Sequence, residues 1–175
     1  MSFRAQRGIA ILLKESYPST GMTAIPRLSA RMTTQISRVL EACLYATDLD
    51  AAERFYVDVL GLERYSAMPE RHVFFRCGSG MFLVFNPART SGEPSLVGGA
   101  IVPAHGATGP GHVAFAIPDA DIPAWRARLE AAGVAIESEV TWPRGGRSLY
   151  VRDPAGNCVE VASPKLWGFE DPEDA

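Results

Sequence analysis

The chain has 175 residues, 47% of them hydrophobic and 21% charged, which is enough for one globular domain with a proper core. Its 17 Lys and Arg residues against 20 Asp and Glu residues give a formal net charge of −3, without the basic excess that binding to a nucleic-acid backbone requires. No apolar run approaches the roughly 20 residues of a membrane-spanning helix. The composition therefore predicts neither a nucleic-acid partner nor a membrane association.

The two ends of the chain differ from the segment between them. Residues 1–35 are interrupted by helix-breaking Pro and Gly and are interpreted as an N-terminal extension of uncertain structure. Residues 165–175 are acidic, and we expect them to form a solvated tail. The 3 cysteines are odd in number and contain no CxxC pair, which predicts a reducing, cytoplasmic location.

Between these ends one pattern occurs twice. Two Asp-x-Asp motifs, residues 48–50 and 119–121, lie 71 residues apart, and each precedes an amphipathic stretch that ends at Gly61 or Gly133. Apolar residues at helical spacing predict a helix after each motif. The capping-box spacing makes Asp50 the predicted N-cap of the first helix.

Each predicted helix follows one strand pattern and precedes three more. Neither four-stranded sheet could cover its apolar face alone, so the predicted fold class is α+β, with two paired βαβββ modules that form an open curved sheet with helices outside. The modules span residues 36–86 and 111–164, and the Gly-, Pro- and Ser-rich residues 87–110 predict a connecting loop. The strand patterns cover Arg38–Ala46, Glu63–Ala67, Arg71–Cys77 and Met81–Asn86, then Gly111–Ile117, Val134–Val140, Arg147–Arg152 and Asn157–Ala162.

Three polar residues interrupt strand patterns that are otherwise apolar. His112 shares a strand face with the small residues Ala114 and Ala116, and Glu160 is a lone acid in the last strand. Glu41 precedes His112 by 71 residues, the offset of the repeat, and is again a lone acid in an apolar run. A buried charge is costly unless a partner or a metal compensates it, so these residues are the candidates for the chemistry.

One histidine and two carboxylates suit one divalent ion such as Fe, Mn, Zn, Ni or Mg, with coordination positions open for a small-molecule substrate. The alternative is that His112 is a hydrogen-bonded core or rim histidine and that both glutamates face water. The shared inward phase and the repeat favour a metal site made by Glu41, His112 and Glu160.

Four further residues are candidates for substrate contacts, namely Arg147, Tyr150, Phe85 and Trp142. An arginine fork can hold a carboxylate or a phosphonate, although an exposed hairpin arginine is the alternative interpretation. Strand alternation places Arg147 and Tyr150 on opposite faces. If no metal binds, an apolar cup that sequesters a small molecule would be lined by Phe74, Phe82, Phe85, Trp142 and Tyr150.

Three segments, in order along the chain, resemble the vicinal oxygen chelate superfamily. They are DLDAAERFYVDVLGL at residues 48–62, GHVAF at 111–115 and YVRDPAGNCVEV at 150–161. That superfamily includes glyoxalase I, extradiol dioxygenases, methylmalonyl-CoA epimerase and the fosfomycin- and bleomycin-resistance proteins. The resemblance covers residues 36–164 and leaves out the N-terminal extension.

The resemblance implies a cup around a divalent metal, with His112 and Glu160 as ligands and Glu160 as the catalytic residue. Glu41 falls where many members have His or Gln, and Val84 falls where a fourth ligand would stand. The implied protein is a metal-dependent lyase, isomerase or dioxygenase whose small substrate chelates the ion through vicinal oxygens. The alternatives are a metal-free, bleomycin-resistance-like binding protein and a fosfomycin-type thiol transferase. Members commonly pair, which implies a C2 homodimer.

Overall fold

The computed structural model describes residues 35–172. The predicted N-terminal extension, apart from its last residue, lies outside the described residues, and so do residues 173–175 of the predicted tail. The compact unit begins at Arg38. Over the described range, no helix has the length and apolar character needed to cross a membrane.

The first module is a βαβββ unit with a four-stranded sheet in the order β1-β4-β3-β2. Strands β1 and β4 are parallel, and the other neighbours are antiparallel. The elements are β1 (Glu41–Tyr45), α1 (Leu49–Arg54, extended by a π-helical turn over Phe55–Val59), β2 (Glu63–Met68), β3 (His72–Cys77) and β4 (Gly80–Phe85).

Helix α1 begins one residue before the predicted cap. The carboxylate of Asp48 accepts a hydrogen bond from the Ala51 amide at 2.9 Å and is the N-cap, so the prediction of Asp50 was wrong. Asp50 instead lies in the first helical turn, where its negative charge interacts favourably with the positive end of the helix dipole. Gly61 follows the π-helical turn at a φ of 79°, a left-handed conformation that glycine adopts without a steric penalty.

The second module repeats the arrangement, with a sheet in the order β7-β10-β9-β8. A 3-10 turn over Asp119–Asp121 leads directly into the second module's helix. The strand predicted over Val134–Val140 is shorter in the structure and begins at Ser138. The elements are β7 (His112–Ala116), α3 (Ile122–Ala131), β8 (Ser138–Thr141), β9 (Arg147–Arg152) and β10 (Cys158–Ala162).

The segment between the modules contains secondary structure. It forms a short helix, α2 (Pro87–Thr90), and a hairpin of β5 (Ser95–Val97) and β6 (Ala100–Val102). A two-residue glycine turn with positive φ closes the hairpin, as expected for this loop length. The prediction of a plain loop over residues 87–110 was therefore incomplete.

The start of the predicted acidic tail is anchored to the domain. Residues Pro164–Trp167 form a 3-10 turn, and the Asp171 carboxylate lies 2.7 Å from Lys165 Nζ. Ser163 Oγ also donates to Asp171 at 3.2 Å. The tail is therefore anchored at Asp171, while residues 167–170 are exposed to solvent as expected.

A single hydrophobic core joins the two modules. It contains Tyr56 from α1, Phe75 and Phe82 from the first sheet, and Leu149 and Val159 from the second. These residues are fully or almost fully buried, so one face of each sheet packs on the shared core and the other faces outward. Strands β1 and β7 lie side by side, but each module keeps its own hydrogen-bonded sheet. The α+β fold with open sheets is confirmed.

Candidate metal and substrate site

Two of the predicted site residues meet on the outward face of the second sheet. His112 begins β7 and Glu160 is the middle residue of β10, and these two strands pair in parallel. His112 Nε2 lies 3.4 Å from Glu160 Oε2. The small side chain of Ala114, directly opposite Glu160, leaves room beside the pair.

The orientation of the His112 ring determines which of its atoms is free. Its Nδ1 lies 3.1 Å from the backbone oxygen of Cys158, so Nδ1 carries the hydrogen and donates it. In the neutral ring Nε2 is then an acceptor, and it faces another acceptor, the Glu160 carboxylate. Two acceptors at this distance require a proton or a metal cation between them.

Glu160 is a buried carboxylate that can accept more hydrogen bonds than it does. The Glu160 residue is only 5% exposed to solvent. Its Oε1 has no hydrogen-bond partner among the described residues. An ionised carboxylate in such a place is stabilised by a cation, because its water has been removed and no donor replaces it. The pair therefore fits a divalent metal ion, and the histidine is oriented by a backbone carbonyl as metal-binding histidines commonly are.

Tyr150 lies next to this pair. It is directly opposite Glu160 in the β9–β10 ladder, and its ring is roughly parallel to that of His112 at 6.3 Å between centroids. Burial, and then the neighbouring Glu160 carboxylate, raise the pKa of Tyr150 to about 12. Tyr150 is therefore a neutral hydroxyl at pH 7, able to donate to an oxygen bound near Glu160.

Glu41 does not complete the set within one chain. It lies on the outward face of the first sheet, at the same position in its module as His112, since Glu41 pairs with Met81 as His112 pairs with Cys158. No group of three His, Cys, Asp or Glu side chains that could hold a metal occurs in residues 35–172. The prediction that one chain brings Glu41 to His112 and Glu160 is therefore wrong.

The counterpart of Glu160 in the first module is Leu83. Strand pairing aligns Cys43 with Leu83 and Ala114 with Glu160, whereas Val84 is fully buried on the core face. The assignment of Val84 was wrong by one residue, because the register of the two parallel strand pairs sets the counterpart and is not visible along the sequence. Leu83 offers no metal ligand either, so the absence of a fourth ligand at this position stands.

Arg147 lies on the opposite side of its sheet from Tyr150. Its strand neighbours Leu149 and Val151 are buried in the core, and its own guanidinium binds the carboxylate of Asp119, with Nη2 to Oδ2 at 3.0 Å. The prediction that Arg147 contacts the substrate is therefore corrected, since it links β9 to the turn before α3.

The aromatic candidates are divided between the two sides of the sheets. Phe82 is buried in the core, which removes it from the predicted apolar cup. Phe74 and Phe85 face outward and line a cavity of about 460 Å³ on the first sheet. Trp142 is half-buried, and its Nε1 donates to Ser148 Oγ at 2.8 Å, two residues before Tyr150. Trp142 and Tyr150 remain predictions as substrate contacts.

The rest of that cavity was not predicted from the sequence. Its wall also contains Tyr65 and Arg76, and its other lining residues are Glu41, Met81 and Leu83. The signal was present in β4, where Met81, Leu83 and Phe85 make the outward face as apolar as the core face. A strand that is apolar on both faces is covered on both.

Comparison with known proteins assigns the chain to one family. Residues 35–161 match the sequence model of the Glyoxalase/Bleomycin resistance protein/Dioxygenase superfamily. The chain belongs to this superfamily. Comparison with curated protein sequences gives no match.

Solved structures support the same assignment. A lactoylglutathione lyase from Agrobacterium tumefaciens is 46% identical, with a TM-score of 0.71, covering 78% of this chain and 100% of that one. A glyoxalase/bleomycin resistance protein/dioxygenase from Nocardioides is 24% identical, with a TM-score of 0.58, covering 82% of this chain and 93% of that one. A fosfomycin resistance protein from Mesorhizobium loti is 22% identical, with a TM-score of 0.51, covering 74% of this chain and 93% of that one. The last two show a shared fold.

Proposed function

We propose that this protein is a divalent-metal-dependent enzyme of the glyoxalase type, a lyase or isomerase, acting on a small substrate with vicinal oxygens. The observation that carries the proposal is the buried Glu160 carboxylate, with Oε1 unpartnered and Oε2 opposite the accepting Nε2 of His112. The lactoylglutathione lyase at 46% identity supports a lyase that takes an oxygenated thiol adduct.

His112 and Glu160 would hold the ion, which, when bound, supplies Lewis-acid polarisation of the substrate oxygens. Glu160 is the catalytic residue of the proposal. Its Oε1 takes a proton from a substrate carbon as the C–H bond breaks, and the same proton returns to the adjacent carbon as a new C–H bond forms. The hydroxyl proton on the first carbon moves to the carbonyl oxygen of the second, so one carbonyl is lost as the other forms. The step is an isomerisation, so it needs no oxidant or reductant. The Tyr150 hydroxyl donates to a substrate oxygen.

A second copy of the chain would complete the site. His112 and Glu160 supply two ligands, and Glu41 lies on the outward face of the first sheet, in the wall of the 460 Å³ cavity. In a C2 dimer, Glu41 of one copy would face the His112 and Glu160 pair of the other, and two equal sites would result. The partner copy would then supply the third ligand.

Metal binding tests the proposal. Protein purified without chelator is analysed for metal, and EDTA-treated protein is titrated by calorimetry with Mn²⁺, Ni²⁺, Zn²⁺ and Mg²⁺. We expect Glu160→Gln and His112→Ala to weaken binding by at least about a hundredfold, because each removes a direct ligand. Glu137→Gln, an exposed acid paired with Arg152 in the same module, should bind as the wild type does. Equal metal binding by all four proteins would refute the site.

Mixing variants tests the shared site. Glu41→Ala and Glu160→Gln should each bind metal at least about a hundredfold more weakly alone, whereas a refolded equal mixture contains heterodimers with one intact, tight site. With random pairing, the mixture should bind about one ion per four chains. A mixture that binds no more than its components would show that the ligands do not come from two copies.

A metal-free binding protein is the second candidate. It is favoured by the absence of a three-ligand cluster within the described chain and by the apolar lining of the first-sheet cavity. A protein of this kind would bind apolar small molecules with equal affinity in EDTA and in divalent metal, and would show no turnover of glutathione adducts of methylglyoxal.

A further inference from the structure

The outward face of the first sheet has a regular chemical order across its strands. Glu41, Met81 and Arg76 are directly opposite one another on β1, β4 and β3 and form one transverse row. The next row contains Leu83 and Phe74. The cavity of about 460 Å³ lies over both rows, so it has charged groups at one side and an apolar floor. Its size is within the range of about 300–1,000 Å³ that small-molecule sites occupy.

Arg76 packs against an aromatic ring, and its only ion pair among the described residues is weak. Its guanidinium carbon lies 4.7 Å from the centre of the Tyr65 ring. Within residues 35–172 its only ion pair is a long contact of 3.8 Å from Nε to Glu63, between two exposed side chains. Among the described residues no hydrogen bond reaches Nη1 or Nη2. These two nitrogens form the fork that binds a carboxylate in a bidentate manner.

An irregularity in β2 builds this arrangement. The ladder between β2 and β3 shifts register between Arg64 and Ser66, so Tyr65 is an extra residue opposite Phe74. Such a bulge redirects a side chain and is frequent beside binding sites. Here it brings the Tyr65 ring into the cavity wall and beneath Arg76. A regular strand would not place an aromatic ring there in addition to Ser66.

We propose that Arg76, supported by the bulged Tyr65, binds the carboxylate of a ligand whose apolar body lies on Phe74, Met81 and Leu83. Arg76 and Glu41 are two strands apart, which is about 10 Å. If Glu41 takes part in the metal site of the proposed function, the substrate is an acid with its carboxylate about that distance from the chelating oxygens. This last step rests on the proposed function, and carboxylate binding does not.

Binding of 3-phenylpropionate and of its neutral amide to the EDTA-treated full chain, followed by calorimetry and NMR, tests the proposal. We expect the acid to bind about tenfold more tightly than the amide, because a charge-assisted bidentate contact is added. Arg76→Met should reduce acid binding to the level of the amide and leave the amide unchanged. Arg76→Lys should retain part of the difference, since it keeps the charge and loses the fork.

Arg64→Met is the matched control. Arg64 is the neighbour of Tyr65 in the chain, and it pairs with Glu53 of α1 at 3.4 Å, away from the cavity. It should bind both probes as the wild type does. Equal affinity for acid and amide, or acid binding that survives Arg76→Met, would overturn the proposal. The proposal would also be overturned if the wild type bound neither probe and Arg76→Met weakened the dimer. The face would then be a protein interface.

The two proposals can fail separately. Probe binding is measured without metal, so a carboxylate preference that depends on Arg76 stands even where Glu160→Gln leaves metal binding unchanged. Metal binding that depends on Glu160, together with no preference for the acid, would refute only the carboxylate site.

Discussion

The hydroxyl of Tyr56 donates a hydrogen bond of 2.8 Å to Oδ2 of Asp153, which lies 97 residues further along the chain in the other module. Asp153 is 4% exposed and Tyr56 is fully buried. The same carboxylate accepts from the backbone amides of Ala155 and Asn157 and from Asn157 Nδ2, all within 2.9 Å. A buried charge with four donors is well compensated, and it ties the α1 region to the β9–β10 loop.

Removing that hydroxyl should destabilise the joint between the modules. Tyr56→Phe keeps the ring in the core and leaves Asp153 with one donor fewer, so we expect the free energy of unfolding to fall by about 1.5–3 kcal/mol. Urea denaturation followed by circular dichroism measures the change. Tyr65→Phe, at an exposed ring, should unfold at the same urea concentration as the wild type. Equal midpoints for both variants would contradict the role of the bond.

Asn157 connects the first strands of the two modules. Its Nδ2 donates to the Tyr45 carbonyl at 3.1 Å, and its Oδ1 accepts from the Gly111 amide at 2.8 Å, immediately before His112. Asn157→Ala should therefore lower both the stability and the metal affinity, the latter by about 10- to 100-fold, as expected for loss of support behind a ligand. Calorimetry on the folded fraction separates the two effects. A destabilised variant with unchanged metal affinity would show that the contact supports the fold alone.

Arg147 should be a structural residue. Because its partly exposed guanidinium pairs with Asp119, we expect Arg147→Gln to cost no more than about 1 kcal/mol of stability. Metal affinity and the affinity for 3-phenylpropionate should be unchanged, in contrast to Glu160→Gln and Arg76→Met. A loss of either affinity would return Arg147 to the site.

The cysteines should differ in reactivity. Cys43 is exposed, whereas Cys77 is half-buried, and burial raises the pKa of the Cys77 thiol. The thiolate is the reactive form, so Cys77 has less of it at pH 8 and is also harder to reach. We expect Cys43→Ser to remove the fastest phase of reaction with Ellman's reagent, and Cys77→Ser to leave it. A fast phase that persists in Cys43→Ser would contradict this order.

The sequence by itself determined the two βαβββ modules, the order of their elements and the resemblance to the family, but not α2, β5 and β6. Period-two alternation identified the strands, helical spacing identified the helices, and the repeat identified Glu41 as the counterpart of His112. These properties are local or depend on equal spacing, so they are visible along the chain. The pairing of His112 with Glu160 followed from the same patterns, because each is the lone polar residue on an otherwise apolar strand.

Only the tertiary structure decided which residues share a face and a site. The register of β1 with β4 and of β7 with β10 makes Leu83, and not Val84, the counterpart of Glu160, since a shift of one position moves a side chain to the other side of a sheet. The bulge at Tyr65, the bond from Tyr56 to Asp153 and the separation of Glu41 from Glu160 likewise have no local signal. They arise from the register of strands and the packing of modules, which contacts distant in the chain determine.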